Sequence, residues 1–305
     1  MTTFIACFAL VAGLLFGQAD TAHRRPLDHG APLLMPEGLA EEYDETERRI
    51  VRFDAAYSTR EVDPESGRIE IAWTTRSGQR KSFVYQRLDA IELSVEVTVE
   101  RLPSGIYRYT YVLGNSAASR LPLTGFVVQN FASDARAVKK PELFAGEMSS
   151  DVPGFAKGKW VLYGKSYFGD TVVPGSRARA VIESASPPGV VGCRAYGGEI
   201  FGRYPDDTPT AVQDAIGRQY YGLWCTGITI GPVASVGRMR TGEKRAYLLD
   251  QLPRMRAAGW ITSEAEAWYT EHFGRTKEPL ARQLRSDLAD GQITSEFALI
   301  VGEVP

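Results

Sequence analysis

The sequence predicts a mainly β protein with a helical tail: an antiparallel β-sandwich, Ig-like or jelly-roll-like, followed by a small C-terminal helical hairpin or bundle. Three observations predict it. Residues 91–100, IELSVEVTVE, alternate apolar and polar side chains with the period of two of a half-buried strand. Other short β-branched and aromatic runs follow one another up to Pro232, separated by Gly, Pro and Asn turns. From Thr241 onward the apolar period becomes helical, with Tyr247, Leu248, Leu252 and Met255 on one stripe.

The elements follow in order. Residues 1–19 have the layout of a secretory signal peptide: an apolar run from Phe4 to Phe16, then small residues at Gly17 and Ala19. That run is shorter than the roughly 20 residues a membrane span needs, and no second long apolar run follows. Residues 20–45 show no period and carry three Pro, which suggests a linker or an extended N-terminal arm. The sandwich is expected over 46–235. Its first strands are RRIVRFDAAYS, GRIEIAWTT and RKSFVYQRL, with Asp-Pro, Ser-Gly and RSGQ turns between them. DPESG lacks the alternating ligands of a calcium loop.

Ile91, Leu93, Val95, Val97 and Val99 share one face, and Glu92, Glu96 and Glu100 the other. The turn LPSG joins this strand to GIYRYTYVLGN. There Tyr107, Tyr109, Tyr111 and Leu113 form the face without a charge, so they are expected to look inward with their hydroxyls at the edge of a core. A ligand platform is the other use for such a row. Further strands are expected at 125–131, around Trp160 and Tyr163, at 177–183 and in GLWCTGITIGP. Between the last two, Thr208 as N-cap, Pro209 at the first position and Gly217 past the end mark a short helix.

The helical tail is expected over 240–305. Pro253 implies a kink or early break in its first helix, Gly259 ends that helix, and Thr262 or Ser263 caps the next. The stretch from there to Gly291 reads as one interrupted helix or two, with Pro279 restarting a segment and Gly291 stopping it, and TSEFALIVGEV is a final short helix.

With residues 1–19 removed, two cysteines remain, Cys193 and Cys225. An even pair in an exported chain suggests a disulfide, worth roughly 3–4 kcal/mol in the chain-entropy picture. The alternative is two buried free thiols.

Two resemblances rest on these residues. The middle of the chain resembles β-sandwich regions of secreted bacterial proteins of uncharacterised function, through Tyr107, Tyr109, Tyr111 and Asn115, then Pro174-Gly175-Ser176, then Pro188-Gly189. The tail resembles the helical FIMAH-type domain appended to bacterial surface and secreted proteins. The shared features are the apolar residues before Gly259-Trp260-Ile261, the Leu280, Leu284 and Leu288 stripe and the apolar last helix. Pro253 and the polar run EAEAWYTEHFGRTKEP depart from that pattern. Neither resemblance implies a catalytic residue.

The chemistry the sequence offers is sparse. With 35 Lys and Arg against 37 Asp and Glu, the charge is nearly balanced, which argues against nucleic acid as partner. Of three histidines, His23 and His29 fall in the arm and His272 on a polar helical stretch. No G-x-S-x-G elbow and no phosphate-binding glycine loop is present. Neighbours in the Glu92, Glu96, Glu100 row would lie about 13 Å apart at roughly 3.3 Å per residue. Glycosidase carboxyl pairs sit about 5–5.5 Å or 6.5–9.5 Å apart. The expectation is therefore an exported, non-catalytic structural or binding protein of the cell envelope or extracellular space, secreted or periplasmic, without metal or cofactor. The rival reading is a polysaccharide-active hydrolase or a carbohydrate-binding module using Trp160, Tyr167 or Tyr220. A glycan or an envelope protein is the expected partner.

Overall fold

The computed structural model describes residues 27–35, 39–44, 48–54, 57–63, 67–130, 136–137, 145–148, 159–164, 171–198, 205, 207–273 and 277–302. Residues 1–19, where the sequence suggests a signal peptide, lie outside them. The described strands are β1 (Leu39–Asp44), β2 (Arg49–Asp54), β3 (Ser58–Asp63), β4 (Arg68–Thr74), β5 (Arg80–Gln86), β6 (Leu93–Arg101) and β7 (Tyr107–Asn115). After them come β8 (Leu123–Asn130), β9 (Arg136–Ala137), β10 (Ala145–Met148), β11 (Lys159–Gly164), β12 (Arg177–Ser184), β13 (Pro188–Gly197) and β14 (Cys225–Pro232). All described pairings are antiparallel. The two larger sheets run β10-β11-β8-β13-β14 and β6-β7-β12-β9. A third runs β3-β4-β5, and β1 pairs with β2 alone.

The hairpin β6–β7 sets the main core. Its register places Val95 opposite Leu113, Val97 opposite Tyr111 and Val99 opposite Tyr109, so the two apolar faces coincide. Tyr107, Tyr109 and Tyr111 are 8%, 0% and 2% exposed. They are a wall of the core and not a ledge for a ligand. Tyr111 reaches the five-stranded sheet: its hydroxyl donates to the Ile230 carbonyl at 2.8 Å, and its ring meets Phe126 at 6.0 Å. The Tyr109 hydroxyl donates to Ser186 O at 2.7 Å. A buried phenol thus keeps its apolar area and loses no hydrogen bond.

β13 was not evident in the sequence. It begins at Pro188, which can start a strand because no donor is needed there, and it contains Gly189, Gly192 and Gly197. Yet it lies between β8 and β14 and is buried over most of its length. At Gly189 a Cβ would come within 2.7 Å of Val233 and 3.0 Å of the Tyr247 hydroxyl oxygen, so the glycine permits close packing. Asn115 and the 174–176 turn also meet. Asn115 N donates to Ser176 O at 3.0 Å, and Gly175 N donates to Asn115 O at 2.8 Å.

A second, smaller core lies under β3-β4-β5. Ile69, Ile71 and Tyr85 pack there with Leu33 and with Val212 and Ile216 of α1 (Thr210–Gln219). Gly217 lies inside α1 and does not end it, because the helix runs on to Gln219. The Thr208 hydroxyl has no hydrogen-bond partner among the described residues, so it does not act as the cap. Residues 27–35 form a docked strap rather than a loose arm. Leu27 N donates to Leu93 O at 3.2 Å, Asp28 exchanges two backbone hydrogen bonds with Thr226, and Ala31 N donates to Gly222 O.

The tail comprises α2 (Thr241–Ala257), α3 (Ser263–His272), α4 (Lys277–Ala289) and α5 (Ser295–Gly302). Pro253 neither breaks nor ends α2. Leu248, Leu252 and Met255 are all buried, and that packing carries the helix past the proline. The tail contains an internal repeat: Gln251, Leu252, Gly259, Ile261, Thr262 and Ser263 recur as Gln283, Leu284, Gly291, Ile293, Thr294 and Ser295. Both copies use a glycine at positive φ, 74° and 69°. Thr262 caps α3 by accepting from Ala265 N, and Thr294 accepts from Phe297 N at 3.5 Å. The two turns are joined: Ile261 bridges Ile293, Thr262 N donates to Gln292 O, and Thr294 N donates to Trp260 O.

The tail packs on the sheets within one continuous core. The Tyr247 hydroxyl accepts from Val190 N at 2.8 Å. Glu296, 2% exposed, accepts from Val97 N on strand β6 at 3.3 Å.

Tyr111→Phe strands the Ile230 carbonyl and is expected to cost about 1–2 kcal/mol. Tyr111→Ala is expected to cost about 3–5 kcal/mol. Urea unfolding checks both; equal stabilities for the wild type and the Phe variant would remove the inter-sheet hydrogen bond from the account.

Candidate functional site

The connector from β5 to β6, Arg87 to Ala90, carries a carboxylate into the interior. The Asp89 side chain is 2% exposed. Arg87 grips it as a fork, Nε to Oδ1 at 2.8 Å and Nη2 to Oδ2 at 2.5 Å. Such bidentate, charge-assisted pairs are strong and directional. Gly30 N donates to the same Oδ2 at 2.9 Å, and Arg87 Nη2 also donates to Gly30 O at 3.1 Å. His29 Nδ1 lies 3.0 Å from Asp89 O and 3.7 Å from Oδ2. The strap is thereby clamped to the connector. Only glycine fits at position 30, since a Cβ would stand 2.5 Å from the Leu223 carbonyl carbon. The hydrogen bond to Asp89 holds the Arg87 guanidinium above its ordinary pKa, against an opposing effect of burial.

Beside this clamp is a cleft of about 630 Å³. Glu61, Arg68 and Ile69 of the small sheet form one wall, and the connector forms the floor. Glu92 and the turn Ala118-Ser119-Arg120 form the other wall, and His29 stands at the rim. That turn is fixed: Ser119 Oγ accepts from Glu92 N at 2.7 Å, and Arg120 N donates to Ala90 O at 3.1 Å. The cleft therefore carries ionic groups of both signs on a preformed frame. Asp89 does not suit general-base work, because donors already occupy both of its oxygens.

The residues singled out from sequence are placed as follows. Cys193 and Cys225 are free thiols, so the expected disulfide is not formed. The register explains this: Cys193 lies opposite Gly227 and Cys225 opposite Ala195. Diagonal neighbours of that kind are about 7–8 Å apart, beyond the usual span of a disulfide. Burial pushes the Cys225 thiol up to about 12 and raises Cys193 further, which makes both poor nucleophiles. Trp160 sits on β11, paired with Gln129 and Met148; its side chain, Tyr167 and the ring of Tyr220 lie outside the described residues. Glu92 reaches the cleft wall. Glu96 pairs with Arg177 at 3.8 Å, and Glu100 with Arg108 at 3.9 Å, while Arg108 also binds Glu183 at 2.8 Å. His272 stacks on Trp268 at 4.2 Å and bonds its carbonyl. Asp207 pairs with Lys81 on the surface, and Asp206 lies outside the described residues.

The Arg87–Asp89 clamp and the role of His29 escaped sequence reasoning. The only local signal was an Asp between apolar Leu88 and Ala90; its partners Gly30 and His29 are some sixty positions away. Among the described residues no group of three His, Cys, Asp or Glu side chains is arranged to hold a metal, and no helix is long and apolar enough to cross a membrane.

The sequence matches no family model and no curated protein. Among solved structures it is similar to an uncharacterised protein from Nocardia farcinica whose crystal structure revealed an immunoglobulin-like fold. The identity is 15% and the TM-score 0.26, over 38% of this chain and 93% of that one.

Two outcomes are expected. Asp89→Ala leaves the largely buried Arg87 charge without its partner and lowers stability by about 3 kcal/mol or more in chemical denaturation. In the native protein at pH 8, iodoacetamide leaves Cys193 and Cys225 unmodified, and both become alkylated in guanidinium, as mass spectrometry of their peptides would report. Finding them unlabelled even when unfolded would restore the disulfide.

Proposed function

We propose that this chain is an exported, non-catalytic binding protein of the cell envelope or extracellular space. In this reading the two larger sheets are the layers of a β-sandwich, and the helical tail, whose sequence resembles FIMAH-type domains, is an appended domain. The cleft beside Asp89 carries the reading. It is a large open recess with preformed walls, and it presents donors and acceptors of both charges. Its most buried carboxylate is saturated by Arg87 and Gly30. Such a surface suits a hydroxyl-rich, uncharged ligand, which needs many directed hydrogen bonds and no strong net field. A glycan of the envelope has that chemistry.

The test is a glycan array probed with protein recovered from the periplasm or medium, followed by titration calorimetry on the best glycan. Glu61 and Arg120 line the cleft but are not part of the clamp. Glu61→Ala with Arg120→Ala is expected to weaken binding about tenfold or more, some 1.4 kcal/mol, while the double variant still unfolds in a single cooperative transition. A chain that retains no glycan, or a double variant that binds as well as the wild type, would overturn the proposal.

A further inference from the structure

A second recess lies where the helical tail meets the sheets, apart from the cleft beside Asp89. It encloses about 280 Å³. Its walls come from the end of β6 (Arg101), the start of β7 (Tyr107), the β12–β13 connection (Pro187) and α2 (Lys244, Tyr247, Leu248). Among its described lining residues two carry cationic side chains, Arg101 and Lys244, and none is acidic. The rest of the lining is chiefly aromatic, aliphatic, proline and glycine. The walls are also held in place. The Arg101 guanidinium stands over the Tyr107 ring, 5.7 Å from its centroid. The Tyr247 hydroxyl is bonded to Val190 N, and Leu248 is buried.

We propose that this recess binds a small amphipathic anion, with its acidic head between Arg101 and Lys244 and its apolar body against Tyr107 and Pro187. Two cations without a countering carboxylate favour a negative head, and a partly desolvated site strengthens that attraction. The accessible lining is mixed, and its apolar part favours an ion that carries an apolar body over a bare inorganic one, which would leave that part in contact with water. The volume sets the size. At the roughly 30 Å³ that each water occupies in the liquid, it has room for about nine non-hydrogen atoms. A medium-chain carboxylate matches head, body and size. Because the sheets supply one half of the walls and the tail the other, a bound anion would also tie the tail to the sheets and raise the melting temperature by mass action. The inference does not depend on the cleft beside Asp89.

Octanoate is the probe, with octan-1-ol as its uncharged counterpart, titrated calorimetrically into the full chain at low salt. Octanoate is expected to bind one per chain, about tenfold more tightly than octan-1-ol, and to raise the melting temperature. Arg101→Met and Lys244→Met are each expected to weaken octanoate about fivefold; Lys244→Met leaves octan-1-ol binding and the unliganded melting temperature unchanged, whereas Arg101→Met also removes the contact with the Tyr107 ring and lowers that melting temperature slightly. Neither position is in the buried core, so both variants remain folded and interpretable. Absence of octanoate binding, equal affinity for the alcohol, or wild-type affinity in both variants would each overturn the proposal.

Discussion

The outer edges of β6 and β14 organise the rest of this molecule. Each is the terminal strand of its sheet, and a terminal strand leaves a row of backbone donors and acceptors that needs partners or water. Both ends of the described chain are spent on these rows. The strap takes Leu93 O on β6 through Leu27 N, and pairs Asp28 with Thr226 on β14. From the other terminus, α5 brings Glu296 to Val97 N on β6 and packs against β6, β13 and β14. Segments that look peripheral in sequence thus partner the outer edges of β6 and β14. The two recesses follow from the same arrangement: one opens where the strap turns onto the β5–β6 connector, the other where the tail lands beside β7 and β13.

Within the sheets, the tyrosine row does what aliphatic side chains alone could not. Leu or Val at positions 109 and 111 would bury area, but the Ile230 and Ser186 carbonyls would then lose their phenol donors. A phenol is long enough to reach from one strand to a distant one, as Tyr111 does to Ile230, and polar enough at its tip to satisfy a carbonyl there. The cost of burying each hydroxyl is offset only because its partner is in place. That partner sits on a strand or turn far away in sequence. The opposite face of the same strands needs no such matching and is held by Arg108 between Glu100 and Glu183.

Elements with a strict local period were legible in the sequence. The 91–100 alternation located β6 and its buried face, and the tyrosines two apart located β7 together with its inward side. The helical tail followed from apolar stripes and from Gly259 and Gly291, though the stretch between those glycines read as one interrupted helix or two and is two. β13 was hidden because it is covered on both faces and paired on both edges, so it has no polar alternation, and its Pro and Gly residues resemble turn signals. Pro253 misled for the opposite reason: a local rule against helix was overridden by buried Leu252 and Met255. The disulfide expectation rested on count and compartment, whereas register decides bonding, and register is not a local property. The repeat of Gln251–Ser263 at Gln283–Ser295 was present in the letters and could have been found by sliding the tail against itself. The clamp on Asp89 could not, since nothing near it in sequence announces Gly30 as its partner.

The buried acids share one kind of position. Asp89 joins strap to connector, and Asp287 joins α4 to α3 by accepting from Tyr269 Oη at 2.9 Å. Glu296 joins the tail to β6. Each lies at a seam between elements that apolar contact alone would leave free to slide, because hydrophobic attraction is non-directional. A buried carboxylate is a poor source of net stability once desolvation is counted. It is, however, intolerant of misplacement, since a shift of one residue would leave a charge enclosed without its donors. In this chain the apolar core accounts for the association of sheets and helices, and the three carboxylates account for the registers in which they meet. The geometry of both recesses depends on those registers, because every wall that faces another across a recess belongs to a different element.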